Sequence, residues 1–503
     1  MADVEQHVID KLLKDAIGHH SKGEFPQAES LYLKILSQQP DNFEVLYRMA
    51  SLCNVVNNSD MAIRYASEAM KINAESSIPI GILGLAFLKK QELDKAITCF
   101  KKAISIEPDN AGYYNNLASA LHRQKEYKEA SKFSEIAISL SPDNGLILNT
   151  AATIYADMGE LEKALSAYKK SLHSKYFTIN AVYNTVFCLL FLRKYDELLA
   201  FLSKIQEESS LSEFQMIGLN VTKAIIYFKD NNFDLCKSVL NKINEIPVAP
   251  THIPFPNYTH FQTYYNYLLE LIKFHYTNPK LYEGVYDKTL YLLGDSHCLS
   301  PAFTNVKIGK INYKCKPELI KGAQARHLSN AQKNRHTTAF DYVLKEIPKN
   351  STVVIMFGEI DTRVEDGILP YHKKIGKLDE ESINTTIKNI VTNYVEFCLH
   401  QAENKSLNLI FYGVPADSMV SISLEDKKWR SYIIKKFNEE LSKITKIKGV
   451  SFIDIYSMTL NEDNKASSKY YIDSIHLKPT SFSKACNDWM SLDSFCKSVQ
   501  LVE

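Results

Sequence analysis

No stretch of the chain holds the roughly 18 unbroken apolar residues of a membrane-crossing helix, so no such helix is expected. Charge of one sign is also missing. The 59 Lys and Arg nearly cancel the 58 Asp and Glu, and a formal net charge of +1 gives no case for nucleic acid or an anionic membrane as partner. Tryptophan is scarce, two residues against 29 Tyr and 24 Phe, a bias that suits packing between helices. Paired cysteines are absent. Nine are scattered from Cys53 to Cys496 without a C-x-x-C pair, which points to free, mostly buried thiols in a reducing compartment. The opening residues, MADVEQHVIDKLLKDA, lack the charged-then-apolar pattern of a secretory leader, and a cytoplasmic protein is the simple expectation. There is no G-x-x-x-x-G-K-[ST] and no G-x-G-x-x-G after a strand, so nucleotide binding has no support. Cys298 and Cys315 lack metal-ligand spacing and no Cys/His/Asp cluster stands elsewhere, so neither a metal nor a cofactor is expected.

What the chain does have is a period. At roughly 100–200 residues per domain, 503 residues suggest two to four units. Small residues recur every 34 positions at Ala28, Ala62, Ala96, Ala130 and Ala164. Four residues later stand Tyr32, Ala66, Phe100, Ser134 and Tyr168, and upstream Ala16, Ala50, Gly84, Ala118 and Ala152 hold the same phase. Twelve residues after the first set come Pro40, Ala74, Pro108 and Pro142. Two antiparallel helices per repeat explain this pattern. Small residues let the helices approach, the aromatic position fills the space between neighbours, and proline ends the second helix.

The spacing resembles the tetratricopeptide repeat (TPR), which implies an all-α superhelical solenoid with a concave groove for a peptide or another protein. Self-association through the same array, or a purely structural role, are the competing readings. Asn115 and Asn116 are the groove candidates. Five clear repeats and two degenerate ones, 179–212 and 213–246, place the array over 1–246. Residues 246–260 carry four prolines and read as a linker, and the Tyr-rich 261–276 reads as a helix that caps the array or docks it. Residues 247–286 are thus a connection, and 287–503 a second domain.

That second domain alternates short apolar runs (290–293, 352–357, 408–414, 450–455) with helical patterns near 336–347, 381–403, 428–446 and 480–499. Alternation of this kind predicts an α/β fold with a parallel sheet covered on both faces, and ligands in such sheets bind at the carboxyl ends of strands. Gly-Asp-Ser-His over 294–297 follows the first run. A serine straight after a buried strand can sit on a tight turn with its hydroxyl exposed, as a nucleophile must; it can equally be a helix N-cap. Asp473 and His476 lie three apart near the end of the chain, a spacing that lets a carboxylate hold an imidazole acting as general base; a surface Asp with a capping His looks the same.

Together these blocks resemble the SGNH (GDSL-type) serine hydrolases, over roughly residues 287–500. The resemblance implies a three-layer, flavodoxin-like α/β domain with Ser296 as nucleophile and Asp473 and His476 completing a triad. It implies that the backbone N–H of Gly322 helps hold the oxyanion, and it matches the family's Gly-x-Asn-Asp block in part at Gly358, Glu359, Ile360 and Asp361. Ile360 stands where the family has an oxyanion-binding Asn, and loss of one such donor typically costs about 10²–10³ in rate. Arg363 replaces it, or the two backbone donors suffice, or the domain has kept binding and lost catalysis. Glu359, Asp361 and Arg363 read either as site residues or as an internal salt bridge bracing the loop. Residues 364–378 read as a loop over the site, with His372, Lys373 and Lys374 facing an anionic substrate or simply solvent; His297 reads as a substrate contact or as structural. The resemblance implies a cofactor-free esterase or O-acyltransferase for small acyl groups, often acetyl and frequently on carbohydrate. A non-catalytic interaction scaffold with an SGNH-like binding domain is the alternative.

Overall fold

The computed structural model describes residues 2–174, 179–208, 211–244, 258–419, 422–463 and 465–492. The chain divides into two compact units, Met1–Thr185 and Val186–Glu503. Five helical pairs make up most of the first: α1 (Ala2–Ser21) with α2 (Phe25–Gln38), α3 (Phe43–Val55) with α4 (Ser59–Ile72), α5 (Ser77–Lys89) with α6 (Leu93–Ile106), α7 (Ala111–Arg123) with α8 (Tyr127–Leu140), and α9 (Gly145–Asp157) with α10 (Leu161–Leu172). The periodic small residues are fully buried, and the aromatic positions Tyr32, Phe100 and Tyr168 lie among them. Gly84 shows how the pattern adjusts. A Cβ there would lie 2.7 Å from the Phe100 ring, so the bulk of Phe100 requires glycine where other repeats carry alanine.

Each pair is joined through one residue in the left-handed backbone region. These residues are Gly23, Asn57, Gln91, Lys125 and Gly159, with φ between +61° and +79°, and the series continues at Arg193 with φ +60°. The spacing is 34 throughout. Only two of the six are glycine, and the others carry a steric cost of roughly 1–2 kcal/mol each. Asn42, Asn110 and Asn144, again 34 or twice 34 apart, cap the helices that follow them by accepting backbone N–H bonds through their side chains. Asn115 and Asn116 are half-buried on α7.

The second unit takes in the end of α11 (Ile179–Phe191), then α12 (Tyr195–Glu208), α13 (Glu213–Lys229), α14 (Phe233–Asn244) and α15 (Tyr258–Thr277). Helix α13 has 17 residues where α3, α5, α7, α9 and α11 each have 13. The unit division therefore falls inside the helical array, ahead of the composition change near 247–286. Buried charge helps explain this: Glu318 of the sheet pairs with Arg193 at 2.8 Å and faces Lys229 at 3.6 Å. The expected proline-rich linker falls mostly on residues 245–257, outside the described ones.

The sheet has six strands, β1 (Lys288–Gly294), β2 (Asn305–Ile308), β3 (Ile311–Leu319), β4 (Thr352–Met356), β5 (Asn408–Tyr412) and β6 (Ser451–Ile453), in the order β2-β3-β1-β4-β5-β6. Between the strands lie α16 (Ala325–Leu328), α17 (Arg335–Glu346), α18 (Ile368–Lys374), α19 (Glu380–Glu403) and α20 (Leu424–Lys448), with α21 (Ile455–Thr459) and α22 (Pro479–Leu492) after β6. All pairings are parallel except β2 on β3, so the expected parallel sheet carries an antiparallel edge hairpin that the sequence reading missed. The near-continuous burial of β1, β4 and β5 fits a sheet covered on both faces. The chain leaves β1 towards β3 and returns on the other side to β4. The strand order reverses between β1 and β4, where a crevice forms beyond the carboxyl ends. Residues 364–378, expected as a loop, contain the helix α18.

The eight described cysteines form no disulfide among themselves, and seven are buried. No described helix is long and apolar enough to cross a membrane.

Lys125 is exposed and holds φ +68°. Lys125→Gly is expected to raise the stability of the helical array by about 0.5–1 kcal/mol in urea unfolding, because strain relief outweighs the added chain entropy. Gly84→Ala is expected to lower it.

Candidate active site

The crevice between β1 and β4 begins with a glycine. A Cβ on Gly294 would sit 2.4 Å from the Met356 carbonyl oxygen, so the two strand ends can approach only because position 294 has no side chain. Immediately beyond, Ser296 opens a 3₁₀ turn, Ser296–Leu299, with Asp295 as its cap. The loop after β6 brings the other end of the sequence to the same place. Ser296 Oγ lies 2.9 Å from His476 Nε2, and His476 Nδ1 lies 2.7 Å from Asp473 Oδ2. Asp473 Oδ1 also accepts the backbone N–H groups of Ile475 and His476, at 2.7 and 2.6 Å, which fixes the carboxylate. Serine, imidazole and carboxylate thus form one unbroken hydrogen-bonded chain.

Electrostatics match the geometry. Burial opposes ionisation of Asp473, but the hydrogen bond and charge of His476 with the two backbone donors outweigh it and hold the carboxyl at about 2. Burial pulls His476 below the ordinary histidine value, against the pull of Asp473, so the imidazole is neutral at pH 7 and free to accept a proton. His297, beside the serine, behaves differently. Burial lowers it, but the hydrogen bond and charge of Asp295 prevail and raise it. Its Nδ1 lies 3.1 Å from Asp295 Oδ1, and its ring tilts against that of His476 at 4.9 Å.

Gly322, with φ +72°, sits between two anchors. The Ile320 N–H bonds the Gly294 carbonyl at 2.9 Å, and the Ala325 and Arg326 N–H groups bond the two Asp361 oxygens at 2.7 and 3.1 Å. Asp361 therefore pins the 322–326 turn to the end of β4. Burial raises its carboxyl to about 6, against those two donors. Gly358 adopts φ +125°, and a Cβ there would lie 2.7 Å from Phe437. Glu359 is gripped by Arg363 through two contacts, at 2.7 and 2.6 Å, and by Arg430 at 3.2 Å. Burial raises Glu359, but Arg363, His297 and Arg430 outweigh it and hold it at about 2. These contacts are those of an internal brace, and they commit the Arg363 guanidinium to Glu359. His372 is buried, with Lys377 O at 2.7 Å from one ring nitrogen and Thr386 Oγ1 at 3.0 Å from the other, while Lys373 pairs with Asp426; the reading of both as substrate contacts gives way to structural roles.

Sequence reasoning missed several participants. Arg430, on α20, joins Glu359 to Asp417. Tyr264 and Tyr267, both buried on α15, are among them: Tyr267 donates to the Ser296 carbonyl at 3.3 Å. Lys321 precedes Gly322. Its ammonium packs over the rings of Phe187, Phe261 and Tyr264 at 4.9–5.3 Å and finds no hydrogen-bond acceptor among the described residues, and burial lowers it to about 8. The Tyr-rich character of 261–276 was the available signal for the tyrosines, and nothing local marked Lys321 or Arg430.

Asp295, His297 and Glu359 bring three ligand-type atoms within 4.8 Å of one another. Protein groups already engage them, His297 with Asp295 and Glu359 with two guanidinium groups, and the nearby arginines disfavour a cation. A cavity of about 660 Å³ opens beside Asp473, lined by Ser418, Lys427, Tyr456, Lys465 and Ser474 among others; Ser296 and His476 do not line it.

Two family models match the chain, "TPR repeat" over residues 84–125 and "Tetratricopeptide repeat" over 111–144 and 147–174, so the helical array contains TPR repeats. No curated protein matches. Solved structures similar to the chain include a thermophilic TPR protein from Thermus thermophilus (19% identity, 36% of this chain and 99% of that one, TM-score 0.34). PilF of Pseudomonas aeruginosa matches at 13% identity over 42% of this chain and 96% of its own, with a TM-score of 0.36. A tetratricopeptide repeat protein from Parabacteroides merdae matches at 10% identity over 51% of this chain and 98% of its own, with a TM-score of 0.38.

Asp361→Ala is expected to leave two backbone donors unpaired and to cost about 1–3 kcal/mol in urea unfolding. Lys321 has the opposite sign. Its folded value of about 8 lies below the ordinary 10.5, so the folded chain binds fewer protons in that window and stability rises with pH across it. Lys321→Met is expected to flatten that rise and to add about 1–3 kcal/mol at pH 7.

Proposed function

We propose that residues 287–503, with α15 packed on them, form a serine-dependent acyl-ester hydrolase or O-acyltransferase of the SGNH type, acting on small acyl groups such as acetyl carried by carbohydrate. The observation that carries this reading is the continuous chain from Ser296 Oγ through His476 to Asp473. His476 Nε2 takes the hydroxyl proton as Ser296 Oγ attacks the ester carbonyl. The imidazolium, held by Asp473, then returns the proton to the departing alkoxide and leaves an acyl-serine. Water releases the acyl group in a hydrolase, and a sugar hydroxyl does so in a transferase. The oxyanion falls to the backbone N–H groups of Ser296 and Gly322, since Ile360 has no donor and Arg363 is committed to Glu359. The TPR array serves a protein partner or self-association in this reading.

Two observations favour the non-catalytic scaffold instead. Ser296 and His476 are only 4% and 2% exposed, and Ile360 offers nothing to an oxyanion.

Labelling with a fluorophosphonate, read by intact mass and peptide mapping, separates the two. One adduct on Ser296, absent in Ser296→Ala, is the expected result. Because His476 must be neutral to act as base and sits below the ordinary histidine value, the labelling rate is expected to be flat above pH 7 and to fall only below the ordinary histidine value. Folded protein that takes neither a fluorophosphonate nor the smaller phenylmethanesulfonyl fluoride would sink the enzyme reading.

A further inference from the structure

Helix α15 does more than connect. The Tyr267 ring lies on the His476 imidazole with ring centroids 3.7 Å apart and planes 12° from parallel, while its hydroxyl reaches the Ser296 carbonyl at 3.3 Å. One side chain thus touches both ends of the serine–imidazole pair, and it is fully buried. Close parallel contact is not the arrangement two neutral aromatic rings prefer, which is offset or edge-on. It does suit a cation lying on an electron-rich face, and an imidazole that has just accepted the serine proton is such a cation.

We propose that Tyr267 is a positioning residue of the candidate triad: its ring holds the His476 imidazole in the plane shared by Ser296 and Asp473 and stabilises the protonated form, while its hydroxyl fixes the nucleophile's backbone. The groups facing His476 are few. Asp473 lies at Nδ1, Ser296 at Nε2, Tyr267 across one face, the His297 ring at 4.9 Å from the turn after β1, and the Glu359 carboxylate further off. His297 opposes protonation of His476, and Asp473 and Glu359 favour it. The tyrosine ring is the one aromatic face among these groups that adds to the favourable side without adding charge.

The catalytic half of this proposal rests on the serine-hydrolase reading; the positioning half does not, because it concerns the imidazole of the free protein. The test follows His476 by NMR in full-length protein labelled at histidine, with Tyr267→Phe and Tyr267→Leu beside the native chain. In the native protein the His476 ring protons are expected to be shifted upfield by the stacked ring, and ordinary shifts would overturn the geometry. Tyr267→Phe keeps the ring and is expected to hold the His476 pKa near the native value. Tyr267→Leu keeps the bulk and loses the face, and the pKa is expected to fall by about half a unit to one unit. An unchanged or raised pKa in the Leu variant overturns the proposal. If Ser296 also labels, the rate in the Leu variant is expected to fall about five- to tenfold, with most of it retained in the Phe variant. Equal losses in both would assign the effect to the hydroxyl and overturn the role of the ring.

Discussion

The arrangement of the second unit depends on the absence of one carbon atom. Gly294 lets the backbone of β1 close on the Met356 carbonyl of β4, and the turns leaving both strands then start side by side. The serine turn at 296 and the brace at 358–363 could not share a crevice if either strand were displaced by the width of a methyl group. Everything placed there later in the chain, above all the loop carrying Asp473 and His476, docks against that junction.

Burial is the second constraint, and the chain answers it in two ways. Where a charge has a partner, it stays ionised: Glu359 between two arginines, and Asp473 against His476 with two backbone donors. Where the partner is an aromatic face or a pair of amide groups, burial wins and moves the group towards neutrality, as at Lys321 and Asp361. Breaking a buried pair on one side typically costs about 3–5 kcal/mol, so these contacts hold the loops more than they add net stability. Ser296 itself lies beside Tyr267 of α15, a helix contributed by sequence well ahead of the sheet.

The helical array was legible because its signal is steric: a position with room only for a small residue repeats every 34 residues whatever else changes. Ser296 stood out because it follows a strand directly, where chemistry gathers in parallel sheets, and Asp473 and His476 because they lie three apart in one loop. The edge hairpin was not legible, since β3 reads INYKCKPEL, with a proline that argues against a strand. Helix α18 was hidden in a charged segment. Arg430 lies 71 residues from Glu359 in sequence, and no local pattern announces such a partnership. The left-handed turns between the helices of each pair were not legible, because four of the six are held by Asn57, Gln91, Lys125 and Arg193 in place of glycine.

The extra length of α13 is where the repeat stops behaving as one. Its first residue, Glu213, keeps the 34-residue phase of Ile179, so the four added residues fall at the other end, Ile226 to Lys229. Four residues are close to one helical turn, about 5–6 Å of length with the buried stripe still facing the same way. That added turn carries Phe228, which packs on Phe303 near the edge of the sheet, and Lys229, which faces Glu318 within it. What reads in the sequence as erosion of a motif is a spacer of one turn, cut to the distance between a helical hairpin and the sheet beside it. Removing it would restore the repeat and lose the joint.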